Sequence, residues 1–137
     1  MGNTKKLKKL FSTCIFICFF LVLFRPFIAS QLATKGAGYL GYNMYKDAIR
    51  QYKKALILDP KNSEIMNWLG YAYKGIGKIN IAIDTYKKAI EINPKNTEAN
   101  HDLGMIYAVN KEFRTAKEYF SRASSIPQEN THYYRMS

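Results

Sequence analysis

Glu98 and His101 stand three residues apart, a spacing that on one helix turns a carboxylate and an imidazole to the same side, as carboxylate-bridged metal bundles require. Such a centre also needs a second pair and further carboxylates, and the sequence supplies neither. His132 lies in the tail, Cys14 and Cys18 lie in an apolar run, and no serine or cysteine sits in a motif that would give it a general base. Gly36, Gly38 and Gly41 are spaced like part of a phosphate loop, but no strand precedes them and no Gly-Lys-Ser/Thr ending follows. Inside a helix each costs about 1 kcal/mol against alanine, so they are expected to loosen the first one. The sequence predicts no enzyme, no cofactor and no metal site. Its chemistry is that of a surface that binds.

The elements that carry these residues are written in a repeat. Ala48-Ile49-Arg50-Gln51-Tyr52-Lys53-Lys54-Ala55 returns 34 residues later as Ala82-Ile83-Asp84-Thr85-Tyr86-Lys87-Lys88-Ala89. A third copy keeps the step with Ala116, Phe120 and Ala123. Ahead of these, Leu69-Gly70 and Tyr73 recur as Leu103-Gly104 and Tyr107, and the connector Pro60-Lys61-Asn62-Ser63-Glu64 recurs as Pro94-Lys95-Asn96-Thr97-Glu98. A period of that length marks stacked helical hairpins. Gly70, Ala82 and Ala89 let two antiparallel helices approach closely, while Leu69, Tyr73 and Tyr86 fill the seam. Asn62 or Ser63, and Asn96 or Thr97, can cap the next helix; Glu64 and Glu98 stand at its positive end; Pro60 and Pro94 cannot continue the previous one. The punctuation predicts helices near 30–42, 45–58, 63–75, 79–92, 97–109 and 113–125.

Leucine-glycine, tyrosine three on, then alanine, an aromatic, alanine and a closing proline resemble the tetratricopeptide-repeat pattern. The resemblance covers nearly all the chain after residue 28 and implies an all-α fold: a right-handed superhelical stack of three antiparallel hairpins, here preceded by an N-terminal hydrophobic helix. Units fall at 29–62, 63–96 and 97–130, and 131–137 is a truncated start of a further unit or a tail. The chain departs from the pattern at Lys35, where leucine is usual, at Met66 and Asn100, where tryptophan is usual, and at Pro127, one place early. The family consists mostly of protein-binding scaffolds, which implies a non-catalytic adaptor.

The resemblance also implies a concave groove lined by the first helix of each unit. Ala33, Thr34, Ala37 and Leu40 would line it in the first unit, Glu64, Asn67, Trp68, Tyr71 and Lys74 in the second, and Glu98, His101, Asp102 and Met105 in the third. Chaperone-binding members grip a terminal carboxylate with lysine, asparagine and arginine at positions that are Ala33, Ala37, Trp68, Glu98 and Asp102 in this chain, so that clamp is absent. Trp68 and Tyr71 beside Glu98 and Asp102 suit a peptide or partner helix with an apolar anchor next to a basic residue.

The amino terminus has a different character. Lys5, Lys6, Lys8 and Lys9 precede Leu10 to Phe24, a run without charge, which residues 1–28 would use as a signal anchor or as a signal peptide. Fifteen residues reach about 23 Å, and extending to Ala29 approaches the roughly 30 Å hydrocarbon core. The expectation is a membrane partner through residues 10–29, with the repeats on the extracytoplasmic side, or a secreted or periplasmic domain after cleavage near Ser30. Of the 21 basic residues, 16 follow residue 28 against 10 acidic ones. This modest excess, mixed in sign, argues against nucleic-acid binding. Lys53, Lys54, Lys87 and Lys88 recur in register and form either a solvated face or a basic ridge. An incomplete unit after Pro127 would leave an apolar face on 113–125, so the alternative function is a structural, self-associating subunit, a homo-oligomer joined through that end.

Overall fold

The computed structural model describes the backbone of residues 2–124 and the side chains of Thr13 and residues 22–124. The described residues form six α-helices: α1 (Gly2–Gly41), α2 (Tyr45–Leu58), α3 (Ser63–Gly75), α4 (Ile79–Ile92), α5 (Thr97–Val109) and α6 (Phe113–Ser124). They pair as the hairpins α1/α2, α3/α4 and α5/α6, with α2 packed on α3 and α4 on α5. As far as residue 124, the five helices from α2 onward match the boundaries expected from capping and proline.

Each hairpin closes in the same way. Asn43, Gly77 and Lys111, spaced 34 apart, take φ of 56°, 75° and 63°. The residue after each donates its amide to a carbonyl five residues back: Met44 to Tyr39 at 2.9 Å, Lys78 to Tyr73 at 3.0 Å, Glu112 to Tyr107 at 2.9 Å. This Schellman closure satisfies the last carbonyls of the first helix and turns the chain by a fixed angle. Between hairpins, the Asn62 and Asn96 side chains accept from the amides of Ile65 at 3.1 Å and Ala99 at 2.9 Å, which selects asparagine over the following Ser63 or Thr97 as the cap. Fully buried Asn100 donates to the Asn96 carbonyl at 2.8 Å. An amide therefore fastens the α4–α5 connector at the place where the family usually has an indole.

Glycine and ring meet once per hairpin. Gly36, Gly70 and Gly104 face Tyr52, Tyr86 and Phe120, and a Cβ on any of them would come within 2.7 to 2.8 Å of the ring. Gly36 is thus a packing position rather than a weak point of α1, while Gly38 and Gly41 have open space. The remaining small and apolar repeat positions build two cores. One holds Ala48, Tyr52, Ala55, Leu69 and Ala72, with Tyr73 against it. The other holds Ala82, Tyr86, Ala89 and Leu103, with Tyr107 and Tyr119 against it. Ala116 and Ala123 are buried in the third hairpin. Lys53 lies 5.9 Å from the Tyr73 ring centroid, and 34 residues on, a side-chain hydrogen bond with Tyr107 holds the Lys87 ammonium above the usual lysine range. These two lysines reach over the seams between hairpins, and all four, Lys53, Lys54, Lys87 and Lys88, are exposed.

The ends of the stack explain two sequence departures. Gln31, Lys35 and Gly38 are exposed where the matching Ile65, Leu69 and Ala72 are buried, so Lys35 belongs to a polar terminal face. At the other end, exposed Lys117 and Ser124 replace Ile83 and Ile90, which pack on the core of the second and third units. The apolar face expected on 113–125 is therefore reduced to Phe113, 68% exposed, and the half-buried edges of Tyr119 and Phe120. Pro127, His132 and the tail 131–137 lie outside the described residues.

The amino-terminal expectations need correction. A separate hydrophobic helix before residue 29 is not formed: α1 is one helix that passes through Arg25 and Pro26. Among the described residues no helix is long and apolar enough to cross a membrane, so extracytoplasmic placement behind an anchor at 10–29 is overturned, and so is a secreted or periplasmic form cut near Ser30. Between Val22 and Ala29, Arg25 and Pro26 interrupt the apolar residues. Ala29 is fully buried in the first core and Ser30 sits inside α1. The side chains of residues 10–12 and 14–21, including Cys14 and Cys18, lie outside the described residues.

Candidate partner-binding face

Helices α1, α3 and α5 carry the side chains expected to line a concave face, and the structure gives them unequal parts. On α1, Thr34 and Ala37 are exposed, Ala33 and Leu40 half-buried. Trp68 packs against the first core while part of the indole remains open. Trp68 meets the exposed Tyr71 edge to face, with ring centroids 6.2 Å apart and planes at 73°. Trp68 thus belongs both to the core between units and to the face.

The polar residues link α3 to α5. Lys74 Nζ stands 2.6 Å from Asp102 Oδ1 and 4.9 Å from the Tyr71 ring centroid. Asn67 is only 2% exposed, its Nδ2 donates to Glu98 Oε2 at 3.5 Å, and its Oδ1 has no hydrogen-bond partner. Asn67 therefore lies in the seam rather than on the surface. Burial first, then the charges of Glu64 and Asp102, hold the Glu98 carboxyl above the usual carboxylate range. Of the two expected acids, Asp102 is compensated by Lys74, and Glu98 is paired with no cation among the described residues.

His101 is exposed, with its ring centroid 5.6 Å from that of Phe120; Met105 is 47% exposed beside it on α5. Among the described residues, no three His, Cys, Asp or Glu side chains gather as metal ligands. The cross-helix pairings were missed in the sequence, although their signal was present: partners 31 and 28 residues apart are one repeat less about one and about two helical turns, and so lie on successive first helices.

Family models described as a TPR repeat and as a tetratricopeptide repeat match residues 43–77, 63–96 and 85–118. The chain is built of tetratricopeptide repeats. No curated protein matches it in sequence. Its fold is similar to that of the first TPR of Spaghetti (RPAP3) bound to the HSP90 peptide SRMEEVD, with a TM-score of 0.70 and 24% identity over 77% of this chain and 84% of that one. The Arabidopsis OM64 TPR domain gives 0.71 at 19% identity, covering 78% and 88%. The crystal structure of MamA gives 0.66 at 25%, covering 71% of this chain; this chain spans 57% of MamA. These likenesses show the fold. In this tetratricopeptide-repeat chain two of the third-unit residues expected in the groove are acidic, Glu98 and Asp102, and Asp102 is paired with Lys74.

Proposed function

We propose that this protein is a non-catalytic adaptor that binds a segment of another protein, a peptide or a helix, along the face made by α1, α3 and α5. The observation that carries this is the Trp68/Tyr71 pair, two rings held edge to face, one half-buried and one exposed. Large aromatics at a partly desolvated centre contribute most to binding when a partner covers them. Met105 and His101 extend the same face on α5. The self-associating alternative draws no support from α6, where Lys117 and Ser124 occupy the positions through which earlier hairpins pack on the next.

Trp68 is the single tryptophan of the chain, so its emission reports on the face directly. The test is a pull-down with the full chain, followed by titration of the captured protein's segment against Trp68 fluorescence. Tyr71→Ala, which removes an exposed ring, should leave the denaturation midpoint in place and weaken binding by about 2 kcal/mol. Undiminished binding to a folded Tyr71→Ala, Met105→Ala double variant would sink the proposal.

A further inference from the structure

Glu98 and Asn67 form an acceptor pair with unspent capacity at one end of the aromatic centre. Asn67 reaches across from α3 to the Glu98 carboxylate on α5, at the 3.5 Å limit of a hydrogen bond, and its Oδ1 is buried without a donor. A buried amide oxygen left without a donor is unfavourable. Glu98 itself is half-buried, with the charges of Glu64 and Asp102 acting on it. The one lysine in reach, Lys74, is committed to Asp102 and lies over Tyr71. The site thus has two acceptors, a local excess of negative charge and no cation of its own among the described residues.

We propose that the seam between α3 and α5, where Asn67 and Glu98 meet with Glu64 beside them, seats one cationic side chain of the bound segment, next to the apolar anchor held by Trp68 and Tyr71. This deepens the adaptor reading and rests on it. A guanidinium suits the seat better than an ammonium, because its fixed fork of donors matches the two oxygens of the half-buried Glu98 carboxylate. The cation supplies the counter-charge that the three carboxylates and one lysine lack. It replaces the marginal contact between Asn67 and Glu98 with charge-assisted hydrogen bonds.

The test uses the full chain and three acetylated, amidated heptapeptides that share one phenylalanine and differ at one neighbouring position, carrying arginine, glutamine or glutamate. Binding is read by Trp68 fluorescence. The arginine peptide is expected to bind about tenfold tighter than the glutamine peptide, and the glutamate peptide weakest. Glu98→Gln, close to isosteric and free of the buried charge, should bring the arginine and glutamine peptides to about equal affinity while both still bind. A carboxyl-labelled NMR titration should show the Glu98 midpoint falling when the arginine peptide is added. Equal binding of all three peptides, or an arginine preference that survives Glu98→Gln, overturns the cation seat and leaves the groove standing. Failure of every peptide to bind overturns both.

Discussion

Gly70 lies against the ring of Tyr86 with no room for a side chain, since a Cβ there would stand 2.8 Å from two ring carbons. The same relation joins Gly36 to Tyr52 and Gly104 to Phe120. The rings are buried or half-buried between helices and cannot swing aside without opening the hairpin. Alanine at 36, 70 or 104 should destabilise by about 1–3 kcal/mol, the cost of overpacking. Gly38→Ala, with nothing within 4 Å, should stabilise by about 0.5–1 kcal/mol through helix propensity. Urea denaturation of the four variants checks both signs.

Tyr52 carries a hydroxyl that is buried without a hydrogen-bond partner, and burial pushes its ionisation upward. The matching position in the third hairpin is Phe120, which needs no such partner. Tyr52→Phe should therefore stabilise by about 1 kcal/mol. The raised phenol also predicts a pH signature. Its contribution is intact below the ordinary tyrosine value and is lost as pH rises above it, because the unfolded chain then ionises and the folded one does not. Tyr52→Phe should show a shallower alkaline fall in its thermal midpoint than the parent.

Lys111 holds φ of 63° where the equivalent residue of the second hairpin is Gly77 at 75°. A side chain in that region costs about 1 kcal/mol, and the Schellman closure around it fixes the conformation. Lys111→Gly should stabilise by about 0.5–1 kcal/mol, and Gly77→Ala should destabilise by a similar amount. Differential scanning calorimetry on the pair decides the matter; a loss for Lys111→Gly would mean that its side chain supplies a contact worth more than the strain.

Much of this fold is legible in the sequence because its packing units are short. Small residues at 70, 82 and 89 and a ring at 86 are local choices that repeat, and Asn62 and Asn96 announce the next helix by their own chemistry. The closures at Asn43 and Lys111 are not legible that way, since neither is glycine and only the register with Gly77 betrays them. Lys35 reads as a flaw until it is placed on the exposed face of the first hairpin, where the matching Leu69 of the second is buried. The continuity of α1 through Arg25 and Pro26 runs against local punctuation, and the core around Ala29 fixes the carboxyl-terminal half of that helix. The site was legible as a set of positions but not as pairings. Whether Asp102 meets Lys74, or Asn67 sinks into the seam, depends on the offset between successive first helices, which no single helix encodes.

Glu98 sets the last prediction, through the groups around it. Glu64 and Asp102 act on it as charges, Lys74 neutralises Asp102, and exposed His101 stands less than one turn away. A carboxyl raised on folding contributes stability that is fully present below its ordinary value and is lost as pH rises through the raised one. Glu98→Gln should therefore stabilise the folded chain at neutral pH, with the advantage vanishing in acid below the ordinary glutamate value. Lys74→Met should do the reverse. It strips Asp102 of its counter-ion, costs about 1 kcal/mol or somewhat more at neutral pH, pushes Glu98 further up, and loses its penalty as the carboxylates protonate. Denaturant midpoints measured across the acid range for the parent and these two variants test the cluster. If Glu98→Gln tracks the parent at every pH, the carboxyl is not held by its neighbours in the way the seam between α3 and α5 requires.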